Sequence, residues 1–492
     1  MKFVLLLTAF VLCLGALYAV WRSQPKISGL PPGHQVHLLG RSYRLCLLFL
    51  LSGAIVSLLI GMFSGRMSLS ETTMGYLLKT TVMNHDPRTP PIARDYGGDS
   101  WMPMAAAIRQ LREHPETPVY SEVFFKDKIK FQYPPTALLF LDLPQRIIDC
   151  SWLNLFRAVN LICWLCLPAI GLVFFSLFTR AAVSPGIKDD IRLPASSLLI
   201  LALMSLAAVG SFYSIMRAYC LGQIQTPMTL FAGLALVAWQ RQQFGLAGFL
   251  IGLCCGIKPQ WLAIIPWAIL RRQWRMLTAL TITVGVLFAL SIAAYGISNY
   301  ADYLSVLSFL GQHGESYFEN QSVNGLVNRL FFNGDNLHWS YSAFPPFNPL
   351  VYVFTVGSSL LIVGVAMFWR MVKTPSSFDF ALILLSLTIA SPIAWEHHYG
   401  ILLLIFAIVL PAAISQRPFG AWTTAYLWLA FLLTSQTFEE VTSHLADTRW
   451  NVLQSYLFFG ALMVVLLLYR ISYLQQSVRY EAARPLGQAA VT

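Results

Sequence analysis

Five groups of polar residues interrupt an otherwise apolar sequence, and each has a chemistry of its own. Asp95-Tyr96-Gly97-Gly98-Asp99 places two carboxylates four residues apart. A carboxylate can take the proton from an attacking hydroxyl, or it can cap a following helix or stand in water. Gly222-Gln223-Ile224-Gln225-Thr226 offers amides for a sugar or phosphate, or for the hydrogen bonds that glutamine makes between membrane helices. Gly256-Ile257-Lys258-Pro259-Gln260 puts a cation in an apolar stretch, which costs roughly 2.5–3.5 kcal/mol at the centre of a spanning helix. Lys258 fits a point charge holding phosphate, or a side chain snorkelling to the interface. Trp395-Glu396-His397-His398-Tyr399 pairs two imidazoles. Adjacent residues point apart and the HExxH spacing is absent, so hydrogen bonding to phosphate or sugar fits His397 and His398 better than zinc does. The plainer alternative is an aromatic interface belt. Asn324 and Arg329 add an amide and a guanidinium matched to phosphate, or simply a solvated loop.

The elements that must carry these groups are membrane helices. Only 11% of the 492 residues are charged and 57% are hydrophobic, whereas a soluble domain carries about 25% charged residues. The expected fold is therefore an all-α polytopic membrane protein. Apolar windows that meet or approach the length of a span lie near 3–21, 44–63, 154–178, 195–217, 226–240, 245–270, 276–296, 350–371, 379–393, 399–415, 420–436 and 451–469. The 245–270 window is broken at Lys258-Pro259 and reads as two short helices or one kinked helix, for about 12 or 13 spans in all. The organisation expected is an extra N-terminal helix with a basic loop over 1–43, a transmembrane domain over 44–471, and a tail over 472–492. The net charge of +11 follows from basic residues gathered in cytoplasmic loops, so nucleic acid is not expected as a partner. Arg180, Arg241, Arg271, Arg370, Arg417 and Arg470 fall on one side if the spans alternate. The long segments 64–153 and 297–349 then face outward. The start of the chain can also be read as a signal peptide, but the charge pattern favours an uncleaved helix with its N-terminus outside.

The two outward segments are too long to be turns, and long loops with structure of their own are usually functional. In the first, Ala105 to Glu113 reads as a short amphipathic helix, and Phe131-Gln132-Tyr133-Pro134-Pro135 as a non-helical turn. All five polar groups fall on the same expected face. A base that activates a hydroxyl, with cations that stabilise a departing phosphate, is what attack on a sugar phosphate requires. Trp101, Tyr133 and Trp395 can stack on sugar rings. No Walker loop or Rossmann fingerprint is present, so the donor expected is a lipid phosphate reached from the bilayer rather than a nucleotide. Neither a metal nor a cofactor is expected: Cys163 and Cys166 have CxxC spacing but sit in an apolar run without acidic or histidine partners.

An ordered set of residues resembles glycosyltransferase family 87, the polyprenyl-phosphate-mannose-dependent mannosyltransferases of the C-type glycosyltransferase fold. The set comprises Asp99 with Ala105-Ala106-Ala107, Tyr120, Tyr133-Pro134-Pro135, Gly222-Gln223, Ala247-Gly248, Ile257-Lys258-Pro259, Arg271-Arg272 with Trp274, Asn320-Gln321-Ser322 with Arg329, and Ser391-Pro392 with Trp395 and His397-His398. The resemblance covers roughly residues 90–400. It implies inverting transfer of a sugar, usually mannose, from a polyprenyl-phosphate donor to a lipid or glycan hydroxyl on the outer, periplasmic face of a bacterial-type inner membrane. It also implies an essential aspartate base, Asp99 by position with Asp95 as fallback, and a phosphate-binding histidine, His397 or His398. The residues leave two other readings open: a flippase for lipid-linked sugars, and a polymerase or ligase of surface polysaccharide.

Overall fold

The computed structural model describes residues 11–12, 14–15, 18, 34–63, 98–182, 195–340, 342–369, 375–415 and 420–482. The expected first span, Asp95 and the basic residues Arg370 and Arg417 lie outside them. The described residues are helical, without strands, and the chain is an all-α polytopic membrane protein. After α1 (His34–Phe63) come two short helices of the first long segment, α2 (Gly98–Glu113) and α3 (Pro135–Ile148). There follow α4 (Trp152–Ala182), α5 (Ala195–Gly210), α6 (Tyr213–Cys220), α7 (Gln225–Gln240), α8 (Phe244–Ile257), α9 (Ile264–Leu270) and α10 (Trp274–Tyr295). The second long segment carries α11 (Ser298–His313) and α12 (Val323–Leu330). The bundle ends with α13 (Pro349–Phe368), α14 (Ser377–Ile389), α15 (Ile401–Ser415), α16 (Ala421–Ser435) and α17 (Tyr456–Ala482).

Among the described residues, six helices are long and apolar enough to cross a bilayer, and α5 with α6, bent by 64° at their junction, makes a seventh. Several of the twelve windows form helices shorter than the 18 residues this count requires. The windows 226–240, 379–393 and 420–436 form α7, α14 and α16, of 16, 13 and 15 residues. Window 245–270 resolves into two short helices, α8 and α9, parted by the 3-10 turn Pro259–Ala263. α14 is buried almost throughout, whereas α16 exposes Trp422, Trp428 and Leu429. The spanning window around α15 is 89% buried and forms the axis of the bundle, while α10 and α13, each 17% buried, face outward.

One packing device follows directly from the sequence. Gly248, Gly252 and Gly256 recur every fourth residue along α8 and line a single face of that helix. A Cβ at Gly248 would run into the Met276 carbonyl, at Gly252 into Thr283 and at Gly256 into Leu287. Because lipid supplies no hydrophobic drive between helices and close packing must do much of the work, this face lets α8 press against α10. Its last member stands two residues before Lys258, so the packing also fixes where the helix breaks.

The two long segments are bound to each other. Asp302 on α11 accepts from the Tyr120 and Ser121 backbone N–H groups at 2.7 and 2.9 Å, and Asn299 accepts from Val119 N–H at 2.9 Å. Lys130 and Glu315 form a buried ion pair at 2.9 Å. On α3 the buried Asp142 carboxylate accepts from Arg112, from Arg146 at 2.9 Å and from Tyr295 at 2.9 Å. Burial alone would push Asp142 up. The hydrogen bonds from Arg146, Arg112 and Tyr295 outweigh it and hold the carboxyl below the usual carboxylate range.

Two outcomes are expected. Gly248→Ala should lower stability by about 1–3 kcal/mol through overpacking, read as a drop in melting temperature in detergent. A depressed folded pKa stabilises the fold above the unfolded value of about 3.9, and that contribution is lost as pH falls through the folded value. Melting temperature should therefore fall in acid more steeply for the native chain than for Asp142→Asn, and parallel pH curves would contradict this.

Candidate active site

The site is built on α6 and the turn after it. α6 is an eight-residue helix closed by Leu221, and Gly222, with φ +66°, turns the chain back into α7. The start of α2 docks on this turn. Gly98 has φ +78°, and a Cβ there would collide with the Leu221 carbonyl, so only glycine permits the approach. Asp99 N–H then donates to Leu221 O at 2.9 Å and Ser100 N–H to Gly222 O at 3.4 Å. The Ser100 hydroxyl donates to Gln223 Oε1 at 2.6 Å, accepts from Ile224 N–H at 3.0 Å and lies 2.8 Å from the Tyr133 hydroxyl. Gln223 Nε2 donates to Asp99 Oδ2 at 3.3 Å. Asp99 is exposed while Ser100 and Trp101 are buried. The result is a carboxylate presented to the surface by an anchored backbone, in the first turn of α2, where the helix dipole favours negative charge.

Tyr133 completes this side. Tyr120 OH donates to Tyr133 O at 2.6 Å, and its ring stacks on Phe131 at 5.2 Å. The bend expected at Tyr133-Pro134-Pro135 is present, and Pro135 opens α3 at the one turn that needs no N–H donor. Burial pushes the Tyr133 phenol up to about 12; the Ser100 hydrogen bond opposes this and the nearby Asp99 charge adds to it. The phenol therefore stays protonated and donates to Gln223 Oε1 at 3.3 Å. Thr136 then donates to Gly256 O at 2.5 Å, which ties the bend to the end of α8 and so to Lys258.

A cationic cluster lies one helical turn back along α6. Arg217 is four residues before Leu221, about 6 Å by helical rise. It is 5% exposed and bonds Glu319 at 2.6 Å. Glu319 O in turn accepts from Glu396 N–H at 3.0 Å, which seats the 3-10 turn Glu396–Gly400 against α6. His397 on that turn is 3% exposed, and neither of its ring nitrogens has a hydrogen-bond partner among the described residues. The charges of both Lys258 and Arg217 bear on it. His398, half-buried, stands edge-on to His397 at 4.7 Å and also feels Lys258. Lys258 is 9% exposed, and no hydrogen bond or ion pair to its ammonium occurs among the described residues. A buried imidazole with two unpartnered nitrogens, which feels the charges of Lys258 and of the Glu319-paired Arg217, is suited to an anionic oxygen.

Three expected residues have other partners here. Asn324 is fully buried; it accepts from Glu315 N–H at 3.0 Å and donates to Thr355 at 3.1 Å. Arg329, 1% exposed, directs its guanidinium at the Tyr317 and Asn320 carbonyls and at the Ser455 hydroxyl at 2.6 Å. Both knit the second segment to the helices around it. Trp101 is 5% exposed, within the core. Trp395 is half-buried and lies nearly parallel to His397, 6.5 Å between centroids. Sequence reasoning missed Ser100, Arg217 and Glu319. The signal for Arg217 was available, since it is a lone cation ending an apolar window. Among the described residues, no three His, Cys, Asp or Glu side chains converge as a metal site.

Comparison with protein families gives a match to the model of glycosyltransferase family 87 over residues 131–394, more than half the chain. The matched stretch contains Tyr133, Arg217, Gln223, Lys258 and Glu319. Asp99 precedes it, and His397 lies three residues beyond it. Neither the curated proteins nor the solved structures give a match.

Gly98→Ala puts a Cβ into the Leu221 carbonyl at a left-handed φ, a strain of about 1–3 kcal/mol. It should abolish turnover while lowering the melting temperature only modestly, as measured by parallel activity and unfolding assays.

Proposed function

The chain belongs to glycosyltransferase family 87 and is a membrane glycosyltransferase; from that premise we propose that it transfers a sugar, mannose in the first instance, from a polyprenyl-phosphate donor to a lipid- or glycan-borne hydroxyl at the outer face of the membrane. The observation that carries the reading is the placement of opposite chemistries on α6. An exposed carboxylate is docked at its C-terminal turn, and a buried cluster of Arg217 and His397, with Lys258 bearing on it, lies one turn away.

In the reaction proposed, Asp99 accepts the proton of the acceptor hydroxyl as its oxygen attacks the anomeric carbon. The bond from that carbon to the phosphate oxygen breaks, and the phosphate leaves with the electron pair. A single displacement of this kind inverts the anomeric configuration. His397 donates a hydrogen bond to the departing phosphate, and Lys258 and Arg217 stabilise its growing charge. The orientation of Asp99 comes from Gln223, whose carbonyl oxygen is engaged by Ser100 and Tyr133, leaving the amide nitrogen to face the carboxylate. An apolar bundle around the phosphate site suits a donor whose tail is itself hydrocarbon. Neither the flippase reading nor the polymerase reading has an observation of this kind behind it.

The test is transfer from labelled polyprenyl-phosphate mannose to a membrane lipid extract by purified protein in nanodiscs. Asp99→Asn should lower the rate by about 10²- to 10⁴-fold, the usual range for a general base, with unfolding unchanged. His397→Ala and Lys258→Gln should lower kcat as well as raise donor KM, because both groups meet charge that grows on the leaving phosphate. Undiminished transfer by Asp99→Asn removes it from the mechanism.

A further inference from the structure

A cavity lies between the two long segments. It has a volume of about 180 Å³ and is lined by Phe125, Phe309, Phe344, Lys128, His313 and Pro345, among others. The first segment enters it through the π-helical turn Ser121–Lys126, an uncommon conformation that recurs at functional sites. Lys128 follows with φ +60°, a left-handed conformation that costs a non-glycine residue free energy. The segment thus departs from regular helix where it reaches the cavity.

The polar groups on the wall complement hydroxyls. Lys128 is exposed and has no hydrogen bond or ion pair among the described residues. His313 Nδ1 lies 2.8 Å from the Pro345 carbonyl, and since a carbonyl only accepts, that nitrogen carries the proton. In the neutral ring Nε2 is then an acceptor, with no partner among the described residues. Lys130 is already committed, to Glu315 at 2.9 Å and over the Phe344 ring at 4.1 Å. The rest of the wall is mostly aromatic, with Ser342, Pro345 and Pro346 among the phenylalanines. Phe309 meets Phe344 edge to face at 5.2 Å and stacks on His313 at 4.3 Å. Apolar ring faces with polar groups from Lys128, His313 and Ser342 match a pyranose, which has C–H faces and hydroxyl edges. The volume is well below the several hundred Å³ of a drug-sized pocket and suits a single ring.

Position supplies the remaining constraint. Lys130 is three residues before Tyr133, at most about 11 Å of chain, and the Tyr133 hydroxyl touches Ser100 beside Asp99. We propose that this cavity is an acceptor subsite. It holds one pyranose residue of a glycan-bearing acceptor next to the residue whose hydroxyl reacts. The proposal rests on the reading of Asp99 as the base of a glycosyl transfer and adds where the acceptor is gripped.

The test is saturation-transfer NMR on full-length protein in nanodiscs, with methyl α-mannopyranoside and mannose 6-phosphate at millimolar concentration as probes. Binding of the neutral mannoside is expected in the native chain and in Asp99→Asn. It should weaken at least tenfold in Phe344→Ala and in Lys128→Ala, and return in Phe344→Tyr, which keeps the ring. Melting temperature controls for folding. Absence of mannoside binding, equal binding by Phe344→Ala and Lys128→Ala, or binding of the phosphate sugar alone would each overturn the proposal. Mannoside binding by a chain that transfers no sugar would leave this subsite standing and refute the catalytic reading instead.

Discussion

The candidate site depends on a backbone contact: Gly98, Asp99 and Ser100 lie flat against the turn that closes α6. Two positive-φ glycines meet there, Gly98 at +78° and Gly222 at +66°, and a Cβ at Gly98 would run into the Leu221 carbonyl. Hydrogen bonds of this kind fix a charged group more firmly than its own side-chain torsions can. A carboxylate on a loosely held loop would sample many positions. Here its backbone is locked, and Gln223 supplies the last constraint. The anchoring glutamine is itself held, since Ser100 and Tyr133 both engage its carbonyl oxygen.

A second constraint is the bend in the chain between α5 and α6. Because that pair turns by 64°, α6 is an eight-residue helix rather than the end of a long span. It can therefore present Arg217 to the Glu319 and His397 side and its C-terminal turn to Asp99. The α8–α9 break does the corresponding work for Lys258. The glycine face of α8 fixes the helix against α10, and Pro259 ends it. Both breaks expose chemistry at places where a continuous helix would bury its backbone and offer only side chains to lipid.

How much of this was legible in the sequence depended on whether the signal was local. The all-helical membrane fold, the break at Lys258-Pro259 and the bend at Tyr133-Pro134-Pro135 were readable, because hydropathy and proline act through neighbours in the chain. Which windows face lipid and which face protein was not, because burial such as the 89% of the α15 window comes from elements far away in sequence. Asn324 and Arg329 looked like ligands because amide and guanidinium groups in a long loop usually serve function. Here the Tyr317 and Asn320 carbonyls and the Ser455 hydroxyl take up Arg329, and the Glu315 N–H and the Thr355 hydroxyl take up Asn324, as framework. Ser100, next to the most prominent acid in the chain, carries no sequence signal, because its role exists only once Gln223 and Tyr133 arrive from 123 and 33 residues away.

The proposed function requires Asp99, as base, and a phosphate site at His397 to meet across α6. The most direct measurement is an experimental structure with a non-transferable polyprenyl-phosphate sugar bound. The account predicts its phosphate within hydrogen-bond reach, about 3 Å, of His397, close to Lys258 and Arg217, with the anomeric carbon open on the side of Asp99. A phosphate held elsewhere in the bundle, with Asp99 turned away from the sugar, would contradict it.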